Sequence, residues 1–359
     1  MRSLLLLGPD RHAVSGISTH LNQLMDSRLA SQYRMLHFRV GSEGRSEGRL
    51  AKLGRMLFSP WRLAWVLLRE RPAIVHINTA MDLKAFWRDL AYLLVARLLG
   101  RRIVYQIHGG ALPEAFTRDR AGFAWLVRAV CRIPDSFVLI ARIEDQAWRR
   151  FMPDLSTRVI ANAIDTRWVP ESNDSGLRAS GELRLVYLGR IVESKGLFEA
   201  VEALAQLARD GVPARLAIAG SGADEARLRA HAEQLGIADR VAFAGPVFGR
   251  DKERFWLQAD VLVFPTWSEG LPYSLLEAMA AGVLPITCPV GAIPDVITDR
   301  RDGLLVPLRD PVALAAAIRW VHEHRDEART IAQAASQRVS HQYTVERLAA
   351  DFDDVYSRL

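Results

Sequence analysis

Cysteine is scarce: the chain has two among 359 residues, Cys131 and Cys288. They stand far apart and form no metal or redox spacing, which excludes a disulfide-stapled scaffold and a cysteine-based zinc module. A reducing, cytoplasmic setting follows as the expectation. Long apolar runs are also missing. "LAYLLVARLLG" (90–100) is the nearest approach to 18 unbroken apolar residues, but it is short and carries Arg97, so a membrane span is not expected. The opening "MRSLLLLGPD" is too short for a secretory leader and reads as a first buried strand. There is no short-period repeat and no low-complexity tail.

Half of the residues are hydrophobic and a quarter are charged. That is ordinary for a globular chain with a sizeable core, and the length suggests two domains. The net charge of +6 is unevenly spread. Residues 1–170 hold 26 Lys+Arg against 14 Asp+Glu, a balance of +12; the rest holds 47−26=21 against 41−14=27, a balance of −6. A basic first half calls for an anionic partner, such as a membrane surface, a phosphorylated acceptor or nucleic acid. No recognised nucleic-acid motif with regularly spaced stacking aromatics is present, so nucleic acid is set aside.

Twelve short apolar runs alternate with helix-like stretches. In the first half they are 3–8, 34–40, 73–78, 102–108, 136–141 and 158–162. In the second they are 183–189, 214–220, 240–245, 260–266, 283–288 and 303–308. The runs are continuous rather than alternating, as in parallel sheets covered on both faces. "FEAVEALAQLARDG" (198–211) and "ADEARLRAHAEQLG" (223–236) read as helices closing on glycine. The expected architecture is α/β, two Rossmann-like doubly wound domains facing across a cleft. Residues 1–168 would form the first domain. The Ser/Gly/Asn-rich stretch 169–182 would be a linker and 183–342 the second domain, with a last amphipathic helix at 343–359 packing back on the first.

Ligands in such sheets bind beyond the carboxyl ends of the strands. In "GRIVESKG" (189–196), Arg190 and Lys195 follow a strand and close on Gly196. A guanidinium fork and an ammonium suit a diphosphate. In "WSEGLPYSLLEAMAAG" (267–282), Pro272 fits the first turn of a helix. Glu269 then lies in the loop ahead of it and Glu277 inside it, leaning back toward the loop. The helix start attracts anions, and the two carboxylates accept from sugar hydroxyls.

"EGLPYSLLE" resembles the E-x7-E motif of retaining GT-B glycosyltransferases, in particular family 4. "LGRIVESKGL" is similar to that family's diphosphate loop, "NAIDTRWV" (162–169) to its Asn-x-x-Asp segment, and "GLLVPLRDPVALAAAI" (303–318) to the stretch after the motif. The resemblance implies that Arg190 and Lys195 neutralise the donor diphosphate and that Glu269 contacts the transferred sugar. It implies that the backbone of Gly270 and Leu271 approaches sugar and phosphate, and that Glu277 binds ribose hydroxyls. "HGG" (108–110) resembles the family's histidine near the sugar and its phosphate, here His108. "AVSGISTHLNQL" (13–24) resembles the glycine-rich first loop, with Gly16 near the β-phosphate and Ser15 in place of a first glycine. A hexosyltransferase acting with retention, by front-face transfer without a protein nucleophile, is the implied activity. Its donor would be a UDP- or GDP-linked sugar and its acceptor a sugar or lipid-linked sugar.

No metal or other cofactor is expected beyond the nucleotide sugar as co-substrate. "DFD" (351–353) has an Asp-x-Asp look but reads as a solvated face of the last helix. An epimerase of the same fold and a non-catalytic nucleotide-sugar binding protein are the alternatives. Residues 45–72 mix Arg49, Lys52, Arg55, Arg62, Arg69 and Arg71 with Leu57, Phe58, Trp61, Trp65 and Leu68, and Pro60 divides them into two helices. This composition suits a helix lying on an anionic membrane surface, and so peripheral attachment at the inner face of the membrane.

Overall fold

The structure, a computed structural model, describes residues 1–41, 48–118, 120–170, 177–178 and 180–359, with the side chains of 49–53 left aside. A strand forms at each of the twelve runs. The first six are β1 (Arg2–Gly8), β2 (Tyr33–Arg39), β3 (Ile74–Met81), β4 (Arg102–Gly110), β5 (Ser136–Leu139) and β6 (Thr157–Val159). The others are β7 (Leu183–Leu188), β8 (Ala214–Ala219), β9 (Val241–Gly245), β10 (Val261–Phe264), β11 (Leu284–Thr287) and β12 (Leu304–Leu305). Their pairings are parallel.

The chain divides into two units, Met1–Ala163 with Val345–Leu359, and Ile164–Thr344. Residues 171–176 and 179 of the expected linker lie outside the described residues. The first unit carries a six-stranded sheet in the order β2-β1-β3-β4-β5-β6, and the second one in the order β12-β11-β10-β7-β8-β9. Strand order therefore reverses between β1 and β3, and again between β7 and β10. Such switch points leave a crevice at the carboxyl ends of the strands.

Burial of both sheet faces accounts for the unbroken apolar runs. In β1, Leu5 and Leu7 enter one core cluster with Val75, Ile77 and Trp148, while Leu4 and Leu6 enter another with Val104 and Phe352. Successive strand residues point to opposite faces, and here both are covered.

Two local expectations are corrected. Pro60 does not divide its segment: one helix runs Arg49–Glu70 with Pro60 inside. Proline removes the N–H that would bond the carbonyl four residues back, that of Met56. The Ser59 hydroxyl donates to the Met56 carbonyl at 3.4 Å and accepts from the buried Tyr92 hydroxyl at 2.9 Å. That carbonyl is thus still served, and the helix continues. Nor is "DFD" a solvated face. In the helix Val345–Ser357, Leu348, Phe352, Val355 and Tyr356 form a buried stripe at helical spacing. Asp353 accepts from the Tyr33 hydroxyl at 2.8 Å, and Asp354 pairs with Arg158.

Candidate active site

In the second unit the loops after β7 and β10, the two strands flanking the switch point, are joined. After β7 a short 3-10 turn, Glu193–Lys195, ends at Gly196 with φ +73°, where a Cβ would collide with the Pro265 carbonyl. Glycine is therefore what allows this turn to lie against the β10 loop. The Trp267 N–H donates to the Ser194 carbonyl at 2.9 Å.

This joining brings Lys195 Nζ onto Glu269 Oε1 as an ion pair, with side chains 12% and 13% exposed. The Thr266 hydroxyl donates to the same Glu269 oxygen at 3.1 Å. Arg190 is exposed and forms no ion pair with a described residue; its carbonyl accepts from the Tyr187 hydroxyl at 2.8 Å. Burial first, and then the Glu269 charge, push the Tyr187 hydroxyl far above the usual phenol range. Gly270 follows Glu269 and its carbonyl accepts from Ala292 N–H at 3.0 Å; Leu271 is buried.

Pro272 sits one position earlier than expected. It is the extended N-cap, ψ 129°, of the helix Tyr273–Ala280, which no capping side chain serves. The first-turn N–H groups at this end are therefore available to an anion. Glu277 is buried inside the helix with both oxygens engaged: Oε1 accepts from Lys252 Nζ at 2.6 Å and Oε2 from Trp256 Nε1 at 3.1 Å. A carboxylate has about four acceptor positions, so two remain for hydroxyl donors. The Tyr273 hydroxyl is buried without a partner among the described residues, and burial with the Glu277 charge raises it well above the usual range.

In the first unit His108 ends the regular part of β4. Gly110 follows at φ +113°, where a Cβ would lie 2.6 Å from the Met81 backbone nitrogen, so the strand end closes on β3 only with glycine there. His108 Nε2 meets Asn78 Oδ1 at 2.9 Å, and its ring packs edge-on against His20 at 4.6 Å. His20 is fully buried with neither nitrogen hydrogen-bonded among the described residues, and burial depresses it to about 3. His76 bonds the Tyr356 hydroxyl at 2.7 Å and Gln106 at 3.0 Å, and is likewise held near 3. Burial first, then the neighbouring His20 and His76, hold His108 well below the usual imidazole range. All three rings are neutral at pH 7. Gly16 is exposed and opens the helix Gly16–Met25; Ser15 caps that helix, its hydroxyl accepting from Ser18 N–H at 3.3 Å.

The second unit therefore brings Lys195, Glu269 and Thr266 together, and places Glu277 with Lys252 and Trp256. The first places His108 with Asn78. Lys252, Trp256, Thr266 and Asn78 were not singled out from the sequence. Lys252 and Trp256 are four apart and share one face of the helix Gly249–Leu257, a spacing visible in "GRDKERFW" (249–256), but nothing local says that this face meets Glu277.

The chain is similar to known proteins. The description "Glycosyl transferases group 1" matches residues 170–338, and "Glycosyltransferase Family 4" matches 23–168. A GDP-mannose-dependent alpha-(1-6)-phosphatidylinositol monomannoside mannosyltransferase of Mycobacterium tuberculosis is 33% identical over 304 residues, 76% of this chain and 75% of that protein. A glycogen synthase of the same organism is 30% identical over 253 residues, 69% of this chain but 59% of the synthase. The putative colanic acid biosynthesis glycosyltransferase WcaL of Escherichia coli is 32% identical over 45% of this chain and 41% of its own length. The matched region thus spans about half of these last two. Among solved structures, sucrose-phosphate synthase from Thermosynechococcus elongatus superposes with TM-score 0.80 at 19% identity, over 99% of both chains. Anabaena HepE in complex with UDP-glucose gives 0.77 at 16%, over 99% of this chain and 100% of its own. These likenesses show the fold, two Rossmann-like domains of the GT-B class.

Proposed function

The chain belongs to the glycosyl transferases group 1 family, and on that premise we propose that it moves a hexose from a UDP- or GDP-linked donor to a saccharide or lipid-linked saccharide in polysaccharide or glycolipid synthesis. One observation carries this reading. At the switch point of the second sheet, an ion-paired Lys195–Glu269 couple stands beside the exposed Arg190 and an uncapped helix start, with a buried carboxylate, Glu277, one turn inside. That combination answers a diphosphate with cations and backbone N–H groups, and sugar hydroxyls with acceptors. Two similar proteins support a nucleotide-sugar donor: HepE was solved with UDP-glucose, and the mycobacterial mannosyltransferase is GDP-mannose-dependent.

In this reading Arg190 and Lys195 stabilise the charge growing on the leaving diphosphate, aided by the backbone of Gly270 and Leu271. Removing one such group costs about 3–4 kcal/mol of barrier in comparable anion sites. Glu269 holds the transferred sugar and Glu277 the ribose. His108 and Gly16 of the first unit are assigned to the transferred sugar and the β-phosphate. The acceptor hydroxyl attacks on the face the diphosphate leaves, so the anomeric configuration is retained. Because side-chain cations neutralise the diphosphate, turnover proceeds without a divalent ion; loss of activity in chelator would overturn that point.

A thermal-shift panel of UDP, GDP and ADP, followed by product analysis with the matching nucleotide sugars, tests the whole. Stabilisation by one diphosphate and transfer to an added saccharide are expected. Epimerised donor without transfer would assign the chain to the epimerase alternative. Binding without any product would assign it to a non-catalytic sensor.

The helix Arg49–Glu70 supports attachment to an anionic bilayer. Its core face is Ser59, Leu63 and Leu67, whereas Met56, Leu57, Phe58, Trp61, Trp65 and Leu68 are exposed, Trp61 by 75%. Arg62 and Arg69 are exposed on the same helix, and the Arg69 guanidinium lies 5.0 Å from the Trp65 ring centre. Apolar bulk bordered by arginine suits the headgroup region of an anionic membrane. Among the described residues no helix is long and apolar enough to cross one.

A further inference from the structure

Asn78 lies on β3 with its side chain buried, and its two amide atoms are committed differently. Nδ2 donates to the Leu7 carbonyl of β1 at 3.2 Å, and Oδ1 faces His108 Nε2 at 2.9 Å. A carbonyl oxygen accepts only, so the atom facing Leu7 must be the amide nitrogen. The atom facing His108 must then be the amide oxygen, which also accepts only. Hence the proton between Asn78 and His108 belongs to His108 Nε2. His108 Nδ1 makes no hydrogen bond with a described residue, and His108 is half-buried, whereas the adjacent His20 is fully buried.

From this chain of bonds we infer that Asn78 is a positioning residue: it holds His108 as the Nε2–H tautomer, so that Nδ1 offers a bare lone pair to a hydroxyl donor rather than an N–H to a phosphate oxygen. A neutral imidazole has one donor and one acceptor, and the bond at one nitrogen decides the role of the other. The Leu7 carbonyl, on a neighbouring strand, thereby decides what His108 can recognise. The tautomer stands on the geometry alone. That the hydroxyl belongs to the transferred sugar rests on the proposed function, and two separate readouts address these two statements.

The first readout needs no substrate. Long-range proton–nitrogen spectra of the full chain labelled with 15N-histidine show each ring's tautomer, and the His108 signal is assigned by its loss in His108→Gln. At pH 7 His108 is expected to be neutral with the proton on Nε2, and Asn78→Ala is expected to shift population to the Nδ1–H form. A wild-type Nδ1–H tautomer, or identical spectra in wild type and Asn78→Ala, would overturn the inference. Should Asn78→Ala fail to fold, the wild-type spectrum decides by itself.

The second readout uses donors in which each sugar hydroxyl in turn is replaced by fluorine, which cannot donate. One replacement is expected to lower kcat/KM about 5- to 10-fold in the wild type, the worth of one hydrogen bond, and to have no further effect in His108→Ala. Penalties that persist in His108→Ala at every position would sink the hydroxyl assignment. Absence of turnover with any nucleotide sugar would sink the proposed function while leaving the tautomer result intact.

Discussion

Lys195 and Glu269, 74 positions apart in the chain, form a largely buried ion pair across the two strands that flank the second switch point. The pair holds the acid proposed to bind the sugar and the cation proposed to bind the phosphate in register before any ligand arrives, so little ordering is left for the moment of binding. It also means that neither residue can be removed without exposing the other's charge to a dry site.

Lys195→Ala is therefore expected to lose about 10²- to 10³-fold in kcat/KM and also to lower the thermal midpoint, because Glu269 is left without its partner. The double variant Lys195→Met/Glu269→Gln removes both charges and should regain the midpoint while activity stays lost. Calorimetry with steady-state kinetics on both variants checks this; recovery of activity in the double variant would contradict the catalytic assignment.

Lys252 and Trp256 fix the orientation of Glu277, so they should matter to the nucleoside rather than to the phosphates. Trp256→Phe and Lys252→Ala are each expected to raise the Kd of the nucleoside diphosphate about 5- to 10-fold and to leave pyrophosphate binding unchanged. Titration calorimetry with both ligands distinguishes this from general damage, in which both affinities fall together.

The buried histidines make stability depend on pH. The folded-state values of His20 and His76 are depressed to about 3, against about 6.5 in an unfolded chain. Between these values the unfolded state binds more protons, so folding stability rises with pH there. It is complete above about pH 6.5 and is lost as the pH falls, by up to about 1.4 kcal/mol per pH unit for each ring. Urea unfolding at pH 7.5, 6 and 5 measures the slope. His20→Leu has no proton to take up and should remove one ring's share of it.

Trp61→Ser/Trp65→Ser is expected to weaken binding to anionic vesicles at least about tenfold, through lost apolar burial in the headgroup region, with the nucleotide-induced thermal shift unchanged. Wild-type binding should fall as salt is raised and be absent from neutral vesicles. Co-sedimentation reads all three, and equal binding by variant and wild type would remove this face from consideration.

Much of this protein was legible one segment at a time. The inner strands could be placed because they are covered on both faces, and burial on both faces writes itself into consecutive residues such as Leu4 to Leu7. The edge strands, such as β9 with Ala242 and Ala244 exposed, were legible from their short apolar runs alone. The acid–loop–helix stretch from Glu269 to Glu277 was legible for a similar reason: proline, helix start and acid spacing are local features. What the sequence withheld were the partners. That Glu277 meets Lys252 and Trp256, that Asn78 turns its oxygen to His108, that Ser59 serves the carbonyl orphaned by Pro60, and that Phe352 seals a sheet begun by β1 are all contacts between segments. Residue type and periodicity report how deeply a position is buried. Which polar atom faces which depends on strand order and on where the loops return, and only the folded chain brings those together.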